Sequence, residues 1–444
     1  IGNFQLIINP IPEANNTTLY QCDDINAVDG FTTFNLTQVI DNITPTTTNR
    51  SIRFFNSQND AENNTNEIDG NAYNNITNPE TIYVRVTNTI TGCINTSELI
   101  IETSDTQISN YYAPELCDVL NSEDGLDTFN LDEFSVQILN ALPTGLNINY
   151  FETYNDALLE QNPLTSPYQN TPPYSQTIYV RVENNNACYG INEVYLKINP
   201  LPELETENET VLYCLNTFPE TLTLNSSLAD EFSGNYSFNW STGETTESIQ
   251  VNTVGTFTVT VTNIASGCSK TKNIIVEPSN TATIEDVLVI DGSLNNNQIT
   301  ILFSGEGEYE FALTNQDGES TLFQESNIFN NISPGIYTVT IRDTKNNCGS
   351  VTELVSVIGF PLYFTPNNDT INDTWQVYGV SSQFQRNSLI HIFDRYGKLL
   401  TTLDPAGKGW DGTYNGKIMP ASDYWFHVTL EDGRIYKNHF TLKR

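Results

Sequence analysis

The stretches CDDINAVDGFTTFNL, starting at Cys22, and CDVLNSEDGLDTFNL, starting at Cys117, are two copies of one sequence set 95 residues apart. TIYVRV recurs at 81–86 and 177–182, and FFNSQNDA (54–61) matches YFETYNDA (150–157). A duplication of this length requires each copy to bury its own core and to be reusable in tandem. The connectors are duplicated too, INPIPEA at 8–14 and INPLPEL at 198–204. Each proline ring fixes φ and disfavours helix before it, so Pro-x-Pro makes an extended, stiff link. The second connector follows EVYLKINP, the last strand of its module. By analogy NFQLIINP makes residues 1–9 the expected last strand of a preceding module whose body is missing. The chain is therefore expected to be the C-terminal part of a longer protein.

Downstream the pattern changes. NYSFNWSTGETTESIQVNTVGTFTVTVTNIASGC (235–268) reads as strand, glycine turn, short strand, glycine turn and long alternating strand. Thr256, Thr258 and Thr260 face one way, and Phe257, Val259 and Val261 the other. A fourth unit ends in NISPGIYTVTIRDTKNNCGS (331–350) with the same order of glycine, aromatic, alternation and cysteine. No segment sustains a 3.6-residue period, while Thr, Val, Ile, Tyr and Phe are plentiful between closely spaced Asn, Gly and Pro. The expected fold class is all-β, with tandem β-sandwich modules at 10–103, 104–199, 200–277 and 278–358 and a small C-terminal β-domain at 359–444. Residues 235–268 resemble the Ig-like and PKD-like repeats of bacterial surface proteins, and 299–350 resemble the short repeats of large gliding adhesins. Antibody-type domains are not implied. Trp240 lies 26 residues after Cys214, too far for the tryptophan that packs on the disulfide of such domains.

Seven cysteines bear on the compartment. Cys22 and Cys93 are separated by 71 residues, as are Cys117 and Cys188, and Cys214 and Cys268 by 54. One pair per module leads to the expectation of three intramodular disulfides in an exported protein, with Cys348 a buried free thiol. Closing a loop of about seventy residues contributes about 4 kcal/mol on the chain-entropy model. No two cysteines have the CxxC spacing of a metal or redox site.

The formal charge of −36 is unevenly spread: residues 1–358 hold nine Lys/Arg against 46 Asp/Glu, and 359–444 nine against eight. An acidic body excludes nucleic-acid backbones and anionic lipid as natural partners. No run of eighteen apolar residues provides a membrane span.

The last segment carries the densest motif set. Phe360-Pro361 opens it, followed by FTPNNDTINDTW (364–375), IFDRYGK (392–398), GWDGTYNG (409–416), DYWF (423–426) and a final FTLKR (440–444). Asn415-Gly416 and Asp432-Gly433 are strong hairpin turns. Tyr424, Phe426, Val428 and Leu430 share one face, and Tyr436, Phe440 and Leu442 share another, so the last two strands are expected to pair. In order and spacing, residues 360–444 resemble the type B C-terminal sorting domain of the type IX secretion system, the gliding-motility-associated domain. The matching residues are Phe364, Pro366, Asn372, Asp373, Trp375, Asp394, Tyr396, Gly397, Trp410, Asp411, Gly412, Tyr424, Phe426 and Phe440. The family's Gly-Asp-Gly is replaced by Asn368-Asp369-Thr370, which puts the local loop geometry in question, since Thr tolerates the left-handed conformation poorly. The resemblance implies export by the type IX translocon, a cell-surface and outer-membrane location, and retention by a PorP/SprF-type barrel partner. Docking is expected through exposed loops or a free sheet edge, with the final hairpin essential.

Chemistry is sparse. His391, His427 and His439 all lie in the last module, so the first 358 residues lack the commonest general base. GxSxG, HExxH and P-loop motifs are absent, and GTYNGKI (412–418) has the wrong spacing for the last. Asn367, Asp369 and Asp373 offer oxygens at spacings Ca²⁺ could use, without a bidentate Glu at the EF-hand position; the competing reading is an Asx-turn loop holding its own backbone. The paired loops with Asp23, Asp29 and Asp118, Asp124 read the same way. No cofactor is expected, with Ca²⁺ the alternative. The reading adopted is a non-catalytic stalk and sorting region of a gliding-adhesin-like surface protein. The alternatives are the accessory region of a secreted glycoside hydrolase or protease, settled by upstream sequence, and a carbohydrate-binding array with Trp240, Trp375, Trp410 and Trp425 as stacking candidates.

Overall fold

Alternation puts Ile82, Val84 and Val86 of the first TIYVRV, and Ile178, Val180 and Val182 of the second, on one face of their strands, and all six are closed to solvent. The structure, a computed structural model, describes residues 8–24, 27–184, 187–230, 232–293 and 296–444. The expected last strand of a preceding module, residues 1–9, lies outside the described residues except for Ile8 and Asn9. The protein is all-β, built of tandem sandwich-like modules. It divides into two compact units, Ile1–Glu203 with Leu228–Ser237 and Val261–Lys270, and Leu204–Ser227 with Phe238–Thr260 and Thr271–Arg444.

In the first repeat one sheet runs in the order Thr17–Cys22, Ile94–Ser104, Glu80–Asn88, Arg50–Phe55, Glu67–Ile68. Thr17–Cys22 pairs with its neighbour in parallel, ending with Cys22 opposite Ser104. The second repeat does the same with Leu116–Cys117 along Ala187–Asn199, placing Cys117 opposite Asn199. Both cores are closed by short helical segments that the sequence reading passed over. Leu36, Val39 and Ile43 cover one, and Leu131 and Phe134 of the helix Leu131–Asn140 cover the other. Their starts are capped: Asn35 accepts from the Thr37 N–H and Asn130 from the Asp132 N–H.

In the third module Glu209–Cys214 runs parallel to Ser269–Ser279, with Cys214 opposite Ser279. Phe257, Val259 and Val261 are buried as their alternation requires. The fourth is a sandwich of two three-stranded sheets, Thr283–Ile290, Asn297–Ser304, Ile328–Ile332 against Tyr309–Asn315, Gly335–Asp343, Ser350–Val357. Ile299, Ile301, Phe311, Leu313, Val339 and Ile341 meet between them.

The cysteine pairing differs from the expectation. The bonds are Cys22–Cys188, Cys117–Cys268 and Cys214–Cys348, and Cys93 is free. Cys22–Cys93, Cys117–Cys188 and Cys214–Cys268 do not form, and Cys348 is not a free thiol. The reason is the parallel first strand. It carries the early cysteine to the far end of the last strand, while the late cysteine sits where that strand begins. Ile94–Ser104 has 11 residues, so Cys22 and Cys93 lie about 35 Å apart along it. A disulfide needs Cα atoms within about 7 Å. Each early cysteine therefore reaches the late cysteine of the next module. Equal spacing reports the repeat, not the partner.

Around the first bond the two repeats share a buried polar junction. Arg181, fully shielded, donates to Gln21 Oε1 of the preceding repeat (2.7 Å) and to the carbonyls of Ala157 (3.1 Å) and Leu158 (3.2 Å). Its guanidinium pairs with Glu183, and lies 2.6 Å from Glu160 without hydrogen-bond alignment. Cys22, Cys188, Phe151, Ala157, Leu158 and Ile191 close an apolar cluster beside it. One guanidinium faces two carboxylates. Burial first, and then the neighbouring Glu183, raise the Glu160 carboxyl above its ordinary value of 4.5, with Arg181 opposing.

Two outcomes are expected. Non-reducing peptide mapping gives the three bonds above, and Cys22→Ser releases Cys188 alone while the other two bonds persist. Opening that 166-residue loop costs about 5 kcal/mol on the chain-entropy model. The second concerns pH. Glu160 holds its proton in the folded state at pH values where the unfolded chain has lost it. Its contribution is therefore complete below the ordinary carboxyl value and is lost as pH rises through the raised one. The first unit should melt higher at pH 5 than at pH 9, and Glu160→Gln should remove that part of the difference.

Candidate functional site

The C-terminal module is a five-stranded sheet in the order Tyr363–Phe364, Ile435–Leu442, Ser422–Thr429, Leu389–Phe393, Leu399–Leu403. Loops and the small hairpin Thr413–Tyr414/Lys417–Ile418 cover one face. Asn415 and Gly416 both take positive φ there, as a two-residue turn requires. Tyr424, Phe426, Val428, Phe440 and Leu442 point into the covered face and are buried.

The motif residues divide into two groups. Phe364, Trp375, Trp410, Tyr424, Phe426 and Phe440 form the core. Trp375 stacks on Phe440 with ring centres 4.3 Å apart and donates its indole N–H to the Pro361 carbonyl at 2.9 Å. Trp410 donates to the Thr413 carbonyl at 2.8 Å, and the backbones of the two tryptophans bond to each other. The Tyr424 hydroxyl donates to the Pro420 carbonyl at 2.8 Å.

The second group shapes turns. Asp373 accepts from the backbone N–H groups of Asn367 (2.9 Å), Asn368 (2.7 Å) and Thr370 (2.8 Å), and the Asn372 carbonyl accepts from Thr365. Asp369 accepts from the Ile371 N–H and the Asn367 amide, which hold its carboxyl below the ordinary range. Asp394 accepts from the N–H groups of Tyr396 and Lys398, with Gly397 at φ 80°, and Asp411 accepts from Thr413. Gly412 has no room for a side chain, since a Cβ there would lie 2.7 Å from Leu442. Pro366 is half-buried at the loop's entry. Of the aromatic motif side chains Tyr396 alone projects into solvent, 86% exposed.

The oxygens considered for Ca²⁺ are thus turned onto the loop's own backbone. The repeated loops behave alike: Asp23 accepts from Asp24 and Gly30, and Asp118 from Val119 and Gly125. Asp29 accepts from Phe31, and Asp124 from Leu126. No cluster of three metal-binding side chains occurs among the described residues. The tryptophans considered for sugar stacking are corrected here. Trp240, Trp375 and Trp410 are buried, each with its indole N–H satisfied internally. Only Trp425 presents a ring, 39% exposed.

That ring lies on the sheet's outer face, where the three histidines also gather. Trp425 and His439 are 6.1 Å apart and His391 and His427 6.5 Å. Burial, then Lys437 and His391, lower the His427 imidazole below its ordinary value. Trp425, His427 and His439, with Phe393, Arg395 and Lys437, line an open depression of about 570 Å³. Both edge strands of the sheet are short, two and five residues. Ile435–Leu442 is interior, so its loss would unpair one whole edge of Ser422–Thr429 and release Tyr363–Phe364.

Sequence reasoning did not single out the contact with the fourth module. Asp291 accepts from the Ile358 N–H at 2.9 Å and pairs with Arg434, its side chain only 2% exposed. Gly292 packs under Tyr436, whose ring stands where a Cβ would. The hydrogen bonds it donates to Asp432 first, and the charge of Asp291, raise the Arg434 guanidinium's already high pKa against the cost of burial.

Comparison with known proteins agrees with this geometry. Residues 358–442 match the family described as the CHU_C type IX secretion signal domain. Residues 18–107 and 113–202 each match the Flavobacterium inter-domain disulphide bond domain, and Cys22–Cys188 is such a bond. The chain is a type IX secretion system cargo, exported and attached at the cell surface. No helix among the described residues is long and apolar enough to cross a membrane. No curated protein matches the chain. Among solved structures it is similar to Sidekick-1 immunoglobulin domains 1–5, at 10% identity over 98% of both chains with a TM-score of 0.24. It is also similar to the N-terminal eight Ig domains of Down Syndrome Cell Adhesion Molecule, at 9% identity over 98% of this chain and 73% of that one, TM-score 0.26. Scores of that size carry no argument, and the fold class stands on the sheets themselves.

The loop generates a prediction. Thr370 has φ 74°, a left-handed conformation that costs a residue with a Cβ about 1–2 kcal/mol. Thr370→Gly, which restores the family's glycine, should stabilise the module by about 1 kcal/mol after the entropy of glycine is subtracted. Asp373→Ala, which strands three N–H groups, should destabilise it by about 2 kcal/mol. Thermal melts of the whole chain, read on the transition of the second unit, check both signs.

Proposed function

We propose that this chain is the non-catalytic stalk and anchoring region of a large surface adhesin, held at the outer membrane through residues 358–444 by a PorP/SprF-type barrel protein. The observation that carries the reading is one disulfide at each junction among the first four modules, a ladder of covalent ties between successive modules. Such ties serve spacing and resistance to unfolding, which a stalk needs. The acidic side chains singled out by sequence support backbone turns and are poorly placed for acid–base work. The C-terminal module offers a partner short sheet edges and exposed Tyr396, Ile418, Ile371 and Ile435. It is near charge neutrality, so it lacks the repulsive field of the body.

The test is a fluorescent reporter fused to residues 358–444 in a gliding host. Display and retention at the surface should require the barrel partner. Removing Tyr436–Arg444, which takes out an interior strand, should abolish both. Retention undiminished without the barrel would remove the anchoring claim.

A further inference from the structure

The free thiol of Cys93 stands where the other late cysteines are bonded. It follows a turn whose hydrogen bonds repeat those before Cys268. Asn88 Oδ1 accepts from the N–H groups of Ile90 (3.0 Å) and Thr91 (3.2 Å), as Asn263 Oδ1 does from Ala265 (3.0 Å) and Ser266 (3.1 Å). Gly92 donates to the Asn88 carbonyl at 2.8 Å, as Gly267 does to Asn263 at 2.8 Å. Asn88 donates to the Cys93 carbonyl at 2.9 Å, as Asn263 does to Cys268 at 2.9 Å. Gly92 has φ 73° and Gly267 φ 74°. The second turn delivers a bonded cysteine.

A second observation concerns what faces the thiol. Cys93 Sγ lies 3.9 Å from the carbonyl oxygen of Asn9. Asn9 belongs to INP at 8–10, and its counterpart in the INP at 198–200 is Asn199. Asn199 is the register partner of Cys117, which bonds Cys268. The linker is fixed in place, with Asn95 donating to the Pro12 carbonyl at 2.9 Å and Asn15 to Ile43 at 2.8 Å. Arg85 adds a third point. It makes the same contacts with the helical turn beneath it as Arg181, to the carbonyls of Ala61 and Glu62, and has no ion-pair partner among the described residues. The additional partner of Arg181, Gln21, comes from the preceding repeat.

We propose that Cys93 is the acceptor of a fourth rung of the ladder, a disulfide from the early cysteine of a module of this same kind lying N-terminal to Pro10, whose first strand pairs in parallel beside Asn9. Two thiols lose two protons and two electrons. A disulfide of the thiol–disulfide-exchange class takes them up and leaves as the dithiol, through a mixed disulfide that the second thiolate displaces. The inference rests on the junction geometry and holds whether or not the chain serves as an adhesin stalk.

The experiment uses the whole chain with a donor added. A copy of residues 105–199, its own Cys188 replaced by serine, is placed directly before Pro10, so that its Asn199 takes the place of Asn9. A second protein carries a copy of residues 8–112 directly before Thr18, with that copy's Cys93 replaced by serine. Each is folded in a glutathione redox buffer, alkylated with iodoacetamide and mapped without reduction. The expected result, in either protein, is a peptide joining the donor's early cysteine to Cys93, with Cys93 unlabelled. In the chain without a donor, Cys93 should be labelled stoichiometrically. Labelling of Cys93 in both extended proteins, or its bonding to any cysteine other than the donor's early one, overturns the proposal.

Discussion

The parallel pairing of the first strand with the last in each of the first three modules governs the rest of the structure. Antiparallel neighbours joined by a short turn would have kept both cysteines of a module at one end. The parallel strand instead carries Cys22, Cys117 and Cys214 to the exit end, opposite Ser104, Asn199 and Ser279. From there the only late cysteine within reach belongs to the module that follows. The apolar cluster around Cys22 and Cys188, and the burial of Arg181 against Gln21, follow from that placement. Losing the hydrogen bond that Gln21 accepts from this buried guanidinium costs about 1.5–3 kcal/mol, so the junction also selects which module can follow.

The fourth module departs from the rule in an informative way. At the position beside the end of its last strand it carries Asp291, where the earlier modules carry cysteine. The covalent ladder stops there, and an ion pair to Arg434 takes over. A polar, reversible contact therefore precedes the one module that export machinery must recognise. The acidic excess of the body ends at the same boundary.

The duplication and the strand alternation were legible because they are local: TIYVRV states its buried face in its own letters. The short helices were legible in principle. Thr153 and Ser57 cap their turns through Asp156 and Asp60, three residues on, but a six-residue helix is too brief for periodicity to reveal. The pairing of the cysteines was not legible, since equal spacing is produced as well by bonds between copies as within them. The motif of the C-terminal module was read correctly as a pattern, yet its side chains proved to be mostly core and turn residues. Buried Trp375 and exposed Tyr396 look equally notable in a sequence. Only packing separates the residue that makes the fold from the one offered to a partner.

The ladder also fixes how the chain would carry a pull on its two ends. The shortest covalent route enters at Cys22, crosses to Cys188, follows the backbone through the proline linker to Cys214, and crosses again to Cys348. The loops bypassed by those crossings, with sequence separations of 166 and 134, bear no tension and cannot lengthen the chain, although at about 3.4 Å per residue they hold about 1,000 Å of slack. Cys117–Cys268 overlaps both closed loops and offers a detour if either crossing is reduced. Between Cys22 and Cys348 an oxidised chain would thus behave as a tether of nearly fixed length, and a reducing environment would turn the same sequence into an extensible one.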